Sequence, residues 1–169
     1  MTIGHSTHPI DEFVEILQAF HVKQIADVRT VPRSRHNPQF NKDTLPTSLL
    51  ECGIEYVHLA GLGGLRHVKK DSTNMAWKNA SFRGYADYMQ TPEFDQSLEE
   101  LINLAAKTRT AVMCAEAVPW RCHRSMIGDA LLVRGIAVRD IMSQTVSRAH
   151  ELTSFAVVEG ITITYPALF

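Results

Sequence analysis

One segment of the chain concentrates side chains that can do chemistry, and it spans residues 114–125 (CAEAVPWRCHRS). It follows a buried apolar run and leads into an amphipathic stretch, which predicts a loop that joins a strand to the start of a helix. The first turn of a helix carries free backbone N–H groups and the positive end of the helix dipole. Arg121, His123 and Arg124 add charge there and Ser125 adds a hydroxyl, so the segment is predicted to bind an anion.

The same segment holds candidate reactive groups. A positive local field lowers the pKa of a nearby thiol, so Cys114 or Cys122 is a candidate nucleophile. Glu116 is a candidate general acid–base, or a partner that orients an arginine. His123 and, from the start of the chain, His5 are candidates for moving protons.

Three interpretations of this segment stay open. In the first it is a catalytic anion-binding loop, similar to the Cys-x5-Arg loop of tyrosine phosphatases and rhodaneses, although six residues separate Cys114 from Arg121. In the second, zinc or iron is ligated by Cys114, Cys122, His123 and, as a further candidate ligand, His5, although this spacing lacks the close Cys-x2-Cys pair of structural zinc. In the third, Cys114 is a buried apolar residue and the arginines pair with acidic neighbours.

Polar and titratable residues also follow other predicted strands, at the point where each strand ends. His5 and Ser6 follow the first strand, Asp27 and Arg29 end the second, and the Cys114 segment follows the fourth. Because the carboxyl ends of parallel strands lie along one edge of a sheet, we expect these side chains to line one crevice there.

The apolar pattern predicts the elements that must position these side chains. Short β-branched runs alternate with amphipathic stretches, which predicts an α/β fold: a three-layer sandwich with a mostly parallel central sheet of about five strands and helices on both faces. We expect helices at 10–20, 45–52, 85–91, 92–107 and 125–133, and strands at 1–4, 22–28, 54–59, 110–115 and 136–142. A further strand is expected near residue 161, and residues 1–169 are expected to form a single α/β domain.

Two more segments are candidate substrate contacts. Arg33 and Arg35 follow Arg29 in an irregular loop, and arginine is preferred for bidentate contacts with oxyanions. This loop is predicted either to contact phosphates of a nucleotide or nucleic acid or to be a solvated loop. Gly63 and Gly64 are predicted to form a tight turn or a mobile lid, because their segment lacks the Gly-Lys-Ser/Thr motif of a phosphate loop.

A few side chains are assigned to structural positions. Cys52 lies near the end of a predicted helix and is expected to pack in the core. His21 and His150 are expected at the surface, and His58 near the site.

Five short motifs occur along the chain in an order that is specific to one family. They are Thr2-Ile3-Gly4-His5-Ser6, Asp27-Val28-Arg29, Pro32-Arg33-Ser34-Arg35, Leu62-Gly63-Gly64 and Cys114-x-Glu116…Cys122-His123-Arg124. Together they resemble an uncharacterised bacterial and archaeal family, domain of unknown function four-eight-eight. The resemblance runs from residue 2 to about residue 145 and implies a similar three-layer α/β fold. It implies no established activity, so it supports the placement of the site more than the reaction.

Composition narrows the class of protein. The 169 residues include 17 Lys and Arg against 18 Asp and Glu, a formal net charge of −1. Any contact with nucleic acid must therefore come from a local patch. The three cysteines are typical of reduced thiols, no apolar run reaches the roughly 18 residues of a membrane span, and the first residues do not resemble a signal peptide. We expect a cytoplasmic protein without a membrane partner.

The sequence as a whole predicts an enzyme, a hydrolase or group transferase, with a site of cysteine, glutamate and arginine at the carboxyl edge of the sheet. Its partner is expected to be a phosphate-bearing or other anionic small molecule, such as one derived from a nucleotide or nucleic acid. Two alternatives remain: a nucleic-acid-binding module without catalysis, and a metal-binding protein that uses Cys114, Cys122 and His123. The pattern assigns no cofactor and no oligomeric state.

Overall fold

The computed structural model describes residues 1–167, which form five α-helices and eight β-strands. The helices are α1 (Ile10–Ala19), α2 (Leu45–Glu51), α3 (Ala80–Tyr88), α4 (Pro92–Lys107) and α5 (Arg124–Leu132). The strands are β1 (Thr2–Gly4), β2 (Gln24–Asp27), β3 (Glu55–His58), β4 (Thr110–Cys114), β5 (Arg139–Ile141), β6 (Ser147–Ala149), β7 (Val157–Glu159) and β8 (Thr162–Thr164). No helix among the described residues is long and apolar enough to cross a membrane.

The central sheet has the strand order β3-β2-β4-β1-β5-β6. Strands β1 to β5 pair in parallel, and β6 joins one edge antiparallel to β5. The predicted mostly parallel sheet is confirmed, with β6 as an edge strand that the sequence pattern did not indicate. The strand expected near residue 161 is β8, which pairs with β7 in a hairpin outside the central sheet.

Side chains along β4 show why helices cover both faces of the sheet. Ala111 and Met113 pack with α1 and α2 in one apolar cluster, whereas Val112 and Cys114 pack with α3, α4 and α5 in the other. Successive side chains of a strand point to opposite faces, so one fully buried strand contributes to two cores. The fold is the three-layer α/β sandwich that the sequence predicts.

The strand register brings the carboxyl ends of β1, β2 and β4 level with one another. Gly4 lies opposite Cys114, and Asp27 lies opposite Met113. The adjacent strands β1 and β4 lead to α1 and α5, which pack on opposite faces of the sheet. Connections that diverge in this way leave a crevice at the carboxyl edge.

Two helix starts show how well local signals place the elements. Helix α4 occupies the predicted residues 92–107, because the Thr91 side chain accepts a hydrogen bond from the backbone N–H of Phe94. Helix α3 begins at Ala80, earlier than the predicted residue 85, because the Asn79 side chain accepts from the backbone N–H of Ser81. This earlier start brings the first turn of α3 to the crevice.

Candidate active site

A crevice of about 650 Å³ opens at the carboxyl ends of β1, β2 and β4. Most residues that the sequence singled out line it: His5, Ser6, Arg29, Arg33, Gly64, Cys114, Glu116, Arg121, Cys122 and His123. Asp27, Arg35, Gly63, Arg124 and Ser125 are outside this lining. The structure thus brings together residues from four separate segments of the chain.

Two thiols and an imidazole form the buried part of the crevice, and we call Cys114, Cys122 and His123 the thiol–imidazole cluster. Nδ1 of His123 lies 3.6 Å from Sγ of Cys122 and 4.0 Å from Sγ of Cys114. The three donor atoms lie within 4.8 Å of one another, and all three residues are buried. The chain turns at Pro119–Arg121 and returns to the end of β4, so that two cysteines that are separated in sequence lie close together in space.

The tautomer of His123 follows from its hydrogen bonds. Its Nε2 lies 3.0 Å from the carbonyl oxygen of Val28, and since a carbonyl only accepts, Nε2 carries the proton. Nδ1 of the neutral ring therefore has a lone pair on the side of the two sulfur atoms. Tyr85 packs edge-on against the ring, with 4.9 Å between the ring centroids, and helps to hold its orientation.

Gly64 is required for this arrangement because the backbone passes very close to the imidazole. A Cβ at residue 64 would lie 2.6 Å from Nδ1 of His123. A Cβ at Gly63 would likewise lie 2.5 Å from Oγ1 of Thr30. This glycine pair was predicted to form a turn or a lid. In the structure, the absence of side chains at these two residues lets the backbone pass close to Thr30 and His123.

The two thiols of the cluster have different acidities. A hydrogen bond from Cys122 is the main cause that lowers the pKa of Cys114 well below its ordinary value, against the opposing effect of burial. The same interaction, together with burial, raises the pKa of Cys122. Of the two thiols, Cys114 is therefore the one that loses its proton more readily.

The start of α5 does not offer the free N–H groups that the sequence suggested. The N–H of Arg124 donates to Sγ of Cys122 at 3.5 Å, and the N–H of Ser125 donates to the carbonyl oxygen of Cys122. The N–H of Met126 donates to the carbonyl oxygen of His123. The positive end of the helix dipole thus favours charge on the thiols, and the N–H groups of Arg124, Ser125 and Met126 are not free to bind an anion.

Arg29 is fixed in the crevice by a dense set of hydrogen bonds. Its Nε and Nη2 donate to the Asp27 carboxylate at 2.9 and 2.6 Å, and Nη2 also donates to the carbonyl oxygen of Phe40 at 2.7 Å. Its Nη1 lies 3.2 Å from Nε2 of His5. Since Nη1 carries two protons, one N–H remains for a ligand.

The neutral ring of His5 positions Arg29 by accepting one of its hydrogen bonds. Its Nδ1 lies 2.8 Å from the carbonyl oxygen of Ser6 and must donate to it, which leaves Nε2 to accept from Arg29. Burial lowers the pKa of His5 to about 4, so the ring is neutral near pH 7. His5 was predicted to move protons, but both of its ring nitrogens already have protein partners.

Asp27 serves Arg29 rather than a substrate. Its carboxylate is fully buried, forms an ion pair with Arg29 and accepts a hydrogen bond from the Tyr56 hydroxyl at 2.7 Å. Although burial alone would lower the pKa of Arg29, the hydrogen bonds to Asp27 raise it. The pair therefore keeps a positive charge inside the crevice wall.

Arg124 braces the loop above β1 instead of lining the crevice. It is fully buried, and its Nη1 and Nη2 donate to the carbonyl oxygens of Glu116 and Ala117 at 2.7 and 3.0 Å. The same loop passes so close to Gly4 that a Cβ there would collide with the carbonyl oxygen of Glu116. Nearby, the Ser125 hydroxyl donates to the carbonyl oxygen of Cys122 at 3.0 Å.

The rim of the crevice carries exposed charged side chains. Arg33 is 75% exposed and lies 3.6 Å from the equally exposed Asp43, a pair of little strength. The side chains of Glu116 and Arg121 make no hydrogen bond or ion pair with other described residues. Arg33, Arg121 and Glu116 are therefore available to a ligand, whereas the exposed Arg35 lies outside the lining.

Comparison with models of protein families identifies the family of the chain. The family model described as Domain of unknown function DUF488 matches residues 9–131, which is most of the chain. The chain belongs to this family. The matched residues include Arg29 and the thiol–imidazole cluster, whereas His5 and Ser6 precede them. No curated protein and no solved structure matches the chain. The family description gives no activity, so the function has to be argued from the geometry of this DUF488 member.

Sequence reasoning missed some polar residues that line the crevice, namely Thr30, Ser34, Asn37 and Ser81. Ser34 lies between Arg33 and Arg35 in the sequence, and this position next to two candidate anion-binding residues could have indicated it. Ser81 lies in the first turn of α3, and its position depended on the capping residue Asn79. These hydroxyl and amide groups add uncharged hydrogen-bond partners beside the arginines.

Two residues outside the crevice correct the sequence analysis. Cys52 is exposed rather than packed in the core, since it caps the end of α2 at the surface. His150 was expected at the surface, but its side chain is only 6% exposed and lies between Asp140, at 2.8 Å, and Asp129, at 3.1 Å. Burial would lower the pKa of His150, yet hydrogen bonds to both carboxylates outweigh it and raise the pKa to about 9.

Proposed function

We propose that the chain is an enzyme, a hydrolase or group transferase, that acts on an anionic, phosphate-bearing substrate in the crevice. One observation carries the proposal: the crevice places the thiol–imidazole cluster under a rim of arginines at the carboxyl edge of the sheet. Reactive groups and charged binding groups on a shared concave surface are the usual arrangement of an active site.

The arginines support an anion as the substrate. Arg29 offers one N–H from a fixed guanidinium, and Arg33 and Arg121 are exposed cations at the rim. The fixed Arg29 orients the phosphate through its one free N–H and its charge, whereas the exposed guanidinium groups bind it through paired hydrogen bonds. Phe82, which also lines the crevice, offers an aromatic face to a nucleobase or sugar.

Glu116 supports proton transfer in the reaction. In a hydrolysis, the oxygen of water forms the new bond to phosphorus while the ester oxygen leaves with the electron pair of the broken P–O bond. Glu116 takes the proton that the water loses and returns it to the leaving oxygen, so it ends the cycle unchanged. Glu116 is exposed and lines the same crevice as the cluster.

The thiols also support a reducing compartment as the place of action. Cys114 and Cys122 lie close together and have to stay reduced to serve the site. We therefore place the reaction in the cytoplasm.

The proposal is tested by phosphate release from a panel of nucleoside phosphates and simple phosphate esters, each assayed with a chelator and with added Zn²⁺. Arg33→Ala is expected to raise KM at least about tenfold, because it removes a cation from the crevice rim. Arg35→Ala is the matched control, since this exposed arginine of the same loop does not line the crevice, and it should leave KM unchanged.

Two results would reject the proposal. One is wild-type protein that releases no phosphate from any ester in either condition. The other is a protein that only binds nucleic acid, with an affinity lost equally in Arg33→Glu and Arg35→Glu and unaffected by Glu116→Gln, which is the behaviour of a binding module without catalysis.

A further inference from the structure

We infer that the thiol–imidazole cluster binds one Zn²⁺ ion through the two sulfur atoms and Nδ1 of His123, and that the fourth position of the metal opens into the crevice. This inference rests on the proposed function, because it names the ion that the same site uses. It concerns Cys114, Cys122 and His123 alone.

The spacing of the donor atoms fits a tetrahedral metal. With Zn–S bonds of about 2.3 Å and Zn–N bonds of about 2.05 Å, the edges of the tetrahedron are about 3.8 Å between sulfurs and about 3.6 Å between sulfur and nitrogen. The observed sulfur–nitrogen distances are 3.6 and 4.0 Å, and all three donors lie within 4.8 Å. The donors reach ideal positions with movements of less than about 1 Å, within the freedom of side-chain rotation.

The chemistry of the donors fits zinc. Thiolate and imidazole are the ligands that Zn²⁺ prefers over hard oxygen donors. A histidine that ligates through one nitrogen usually donates its other N–H to a carbonyl or carboxylate, which fixes the ring. His123 already does this, because its Nε2 donates to the carbonyl oxygen of Val28 while Nδ1 faces the sulfurs.

Charge balance also favours the ion. Two buried thiolates would repel each other, but with one Zn²⁺ the site is electrically neutral. The surroundings support thiolates: the N–H of Arg124 points at Sγ of Cys122, and the buried guanidinium of Arg124 makes no ion pair anywhere in residues 1–167. Its Nε is also without a hydrogen-bond partner in this part of the chain.

The donor count sets the type of site. Among residues 1–167, the cluster contains no fourth His, Cys, Asp or Glu donor. All three members line the crevice, so the remaining position faces the space in which the arginines would hold a substrate. Three protein ligands and one open position are the arrangement of a catalytic zinc rather than a structural one.

The test uses the full chain, produced without an affinity tag, freed of metal by a chelator under reducing conditions and titrated with Zn²⁺ or Co²⁺. We expect one ion per chain, with the thiolate-to-cobalt charge-transfer band and the intense visible bands of tetrahedral Co²⁺. Cys122→Ser and His123→Gln should each weaken binding by more than about 100-fold, beyond the loss on changing a residue that only orients a ligand. Cys52→Ser, at the exposed cysteine, should bind like the wild type.

A second measurement needs no variant and covers the case in which the substituted chains fail to fold. Alkylation of the folded wild-type protein, read out by mass spectrometry for each cysteine, should show that Zn²⁺ protects Cys114 and Cys122 and leaves Cys52 reactive. Less than stoichiometric binding, an octahedral cobalt spectrum, or equal alkylation with and without Zn²⁺ would overturn the inference.

The failure of this inference can be told from the failure of the proposed function. Phosphate release that depends on Arg33 but is the same with a chelator and with Zn²⁺ would keep the enzyme and remove the metal. Stoichiometric zinc without turnover of any ester would keep the metal and remove the proposed reaction.

Discussion

At the scale of single residues, the candidate site depends on where backbone and ring atoms touch. His123 has its proton position set by Val28, its ring held by Tyr85 and its Nδ1 edge close to the backbone of Gly64. Cys114 and Cys122 then differ in acidity because each interacts with the other in a buried position. The thiol–imidazole cluster is thus a unit of three side chains, in which the acidity of each cysteine depends on the other.

The contact at Gly64 gives a prediction at this scale. In Gly64→Ala the new Cβ would lie 2.6 Å from Nδ1 of His123, so the ring has to move. A displacement of about 1 Å at a reacting group costs about 100-fold in rate, and we expect turnover to fall by that order. The measurement is kcat for the best substrate of the ester panel.

Gly53→Ala is the matched control for this substitution. Gly53 has a φ of +70° and nothing within 4 Å of its Cβ position, so alanine there is expected to cost about 1 kcal/mol of stability without touching the site. Turnover that is equal in Gly64→Ala and Gly53→Ala would show that the close approach at residue 64 does not matter to the reaction.

Residue types and strand ends were enough to single out most of the crevice. Cys114 ends a strand, and Glu116, Arg29 and His5 follow one. Because parallel strands end at one edge of the sheet, the meeting of these residues could be predicted. Which atoms touch could not be predicted, because this depends on three-dimensional packing. The sequence therefore assigned Asp27 and Arg124 to the substrate, whereas Asp27 holds Arg29 and Arg124 holds the loop.

At the scale of the elements, His150 shows how a distant residue ties the edge of the sheet to a helix. It follows β6 and bridges Asp140 of β5 and Asp129 of α5. The carboxylate of Asp129 also accepts a hydrogen bond from the hydroxyl of Tyr165 at 2.8 Å. Nothing in the sequence pattern indicated this bridge, because the edge strand β6 is short and polar. The β6 edge of the central sheet was therefore the part of the fold that the sequence pattern predicted least well.

This bridge predicts how stability depends on pH. The pKa of His150 is about 9 in the folded chain and about 6.5 in an unfolded one. The stabilisation is therefore complete below about pH 6.5 and is lost as the pH rises through 9. We expect the free energy of unfolding, from urea titrations, to fall by about 2 kcal/mol over this window, less than the full shift implies because water screens part of the interaction.

The His150→Gln variant should lose most of this pH dependence. His36→Gln is the control, since His36 is exposed and should leave the dependence unchanged. A variant at residue 150 with the same pH slope as the wild type would show that the bridge to Asp129 and Asp140 does not contribute to stability.

At the scale of the whole molecule, strand order creates the site. β1 and β4 lie side by side and send their chains to opposite faces, so the loops that follow them diverge and leave the crevice between them. The alternation of short apolar strands and amphipathic helices was enough to predict the layers and the parallel sheet. The placement of β4 between β1 and β2 was not predictable, because strand order depends on pairing between distant segments.

The same order explains why the family match and the site agree. The DUF488 match spans residues 9–131, from the start of α1 to the end of α5, and so covers the strands β2 and β4 and the cluster between them. The thiol–imidazole cluster thus lies inside the part of the chain that the family model matches.

The most direct test of the reactive centre is the rate of phosphate release by Cys114→Ser compared with Cys52→Ser on the best ester of the panel. Both variants remove one thiol, but only Cys114 belongs to the cluster that lines the crevice, while Cys52 is exposed on α2's end. We predict that Cys114→Ser loses more than about 100-fold in rate and that Cys52→Ser stays within about twofold of the wild type. Equal rates in the two variants would contradict the assignment of the thiol–imidazole cluster as the reactive centre.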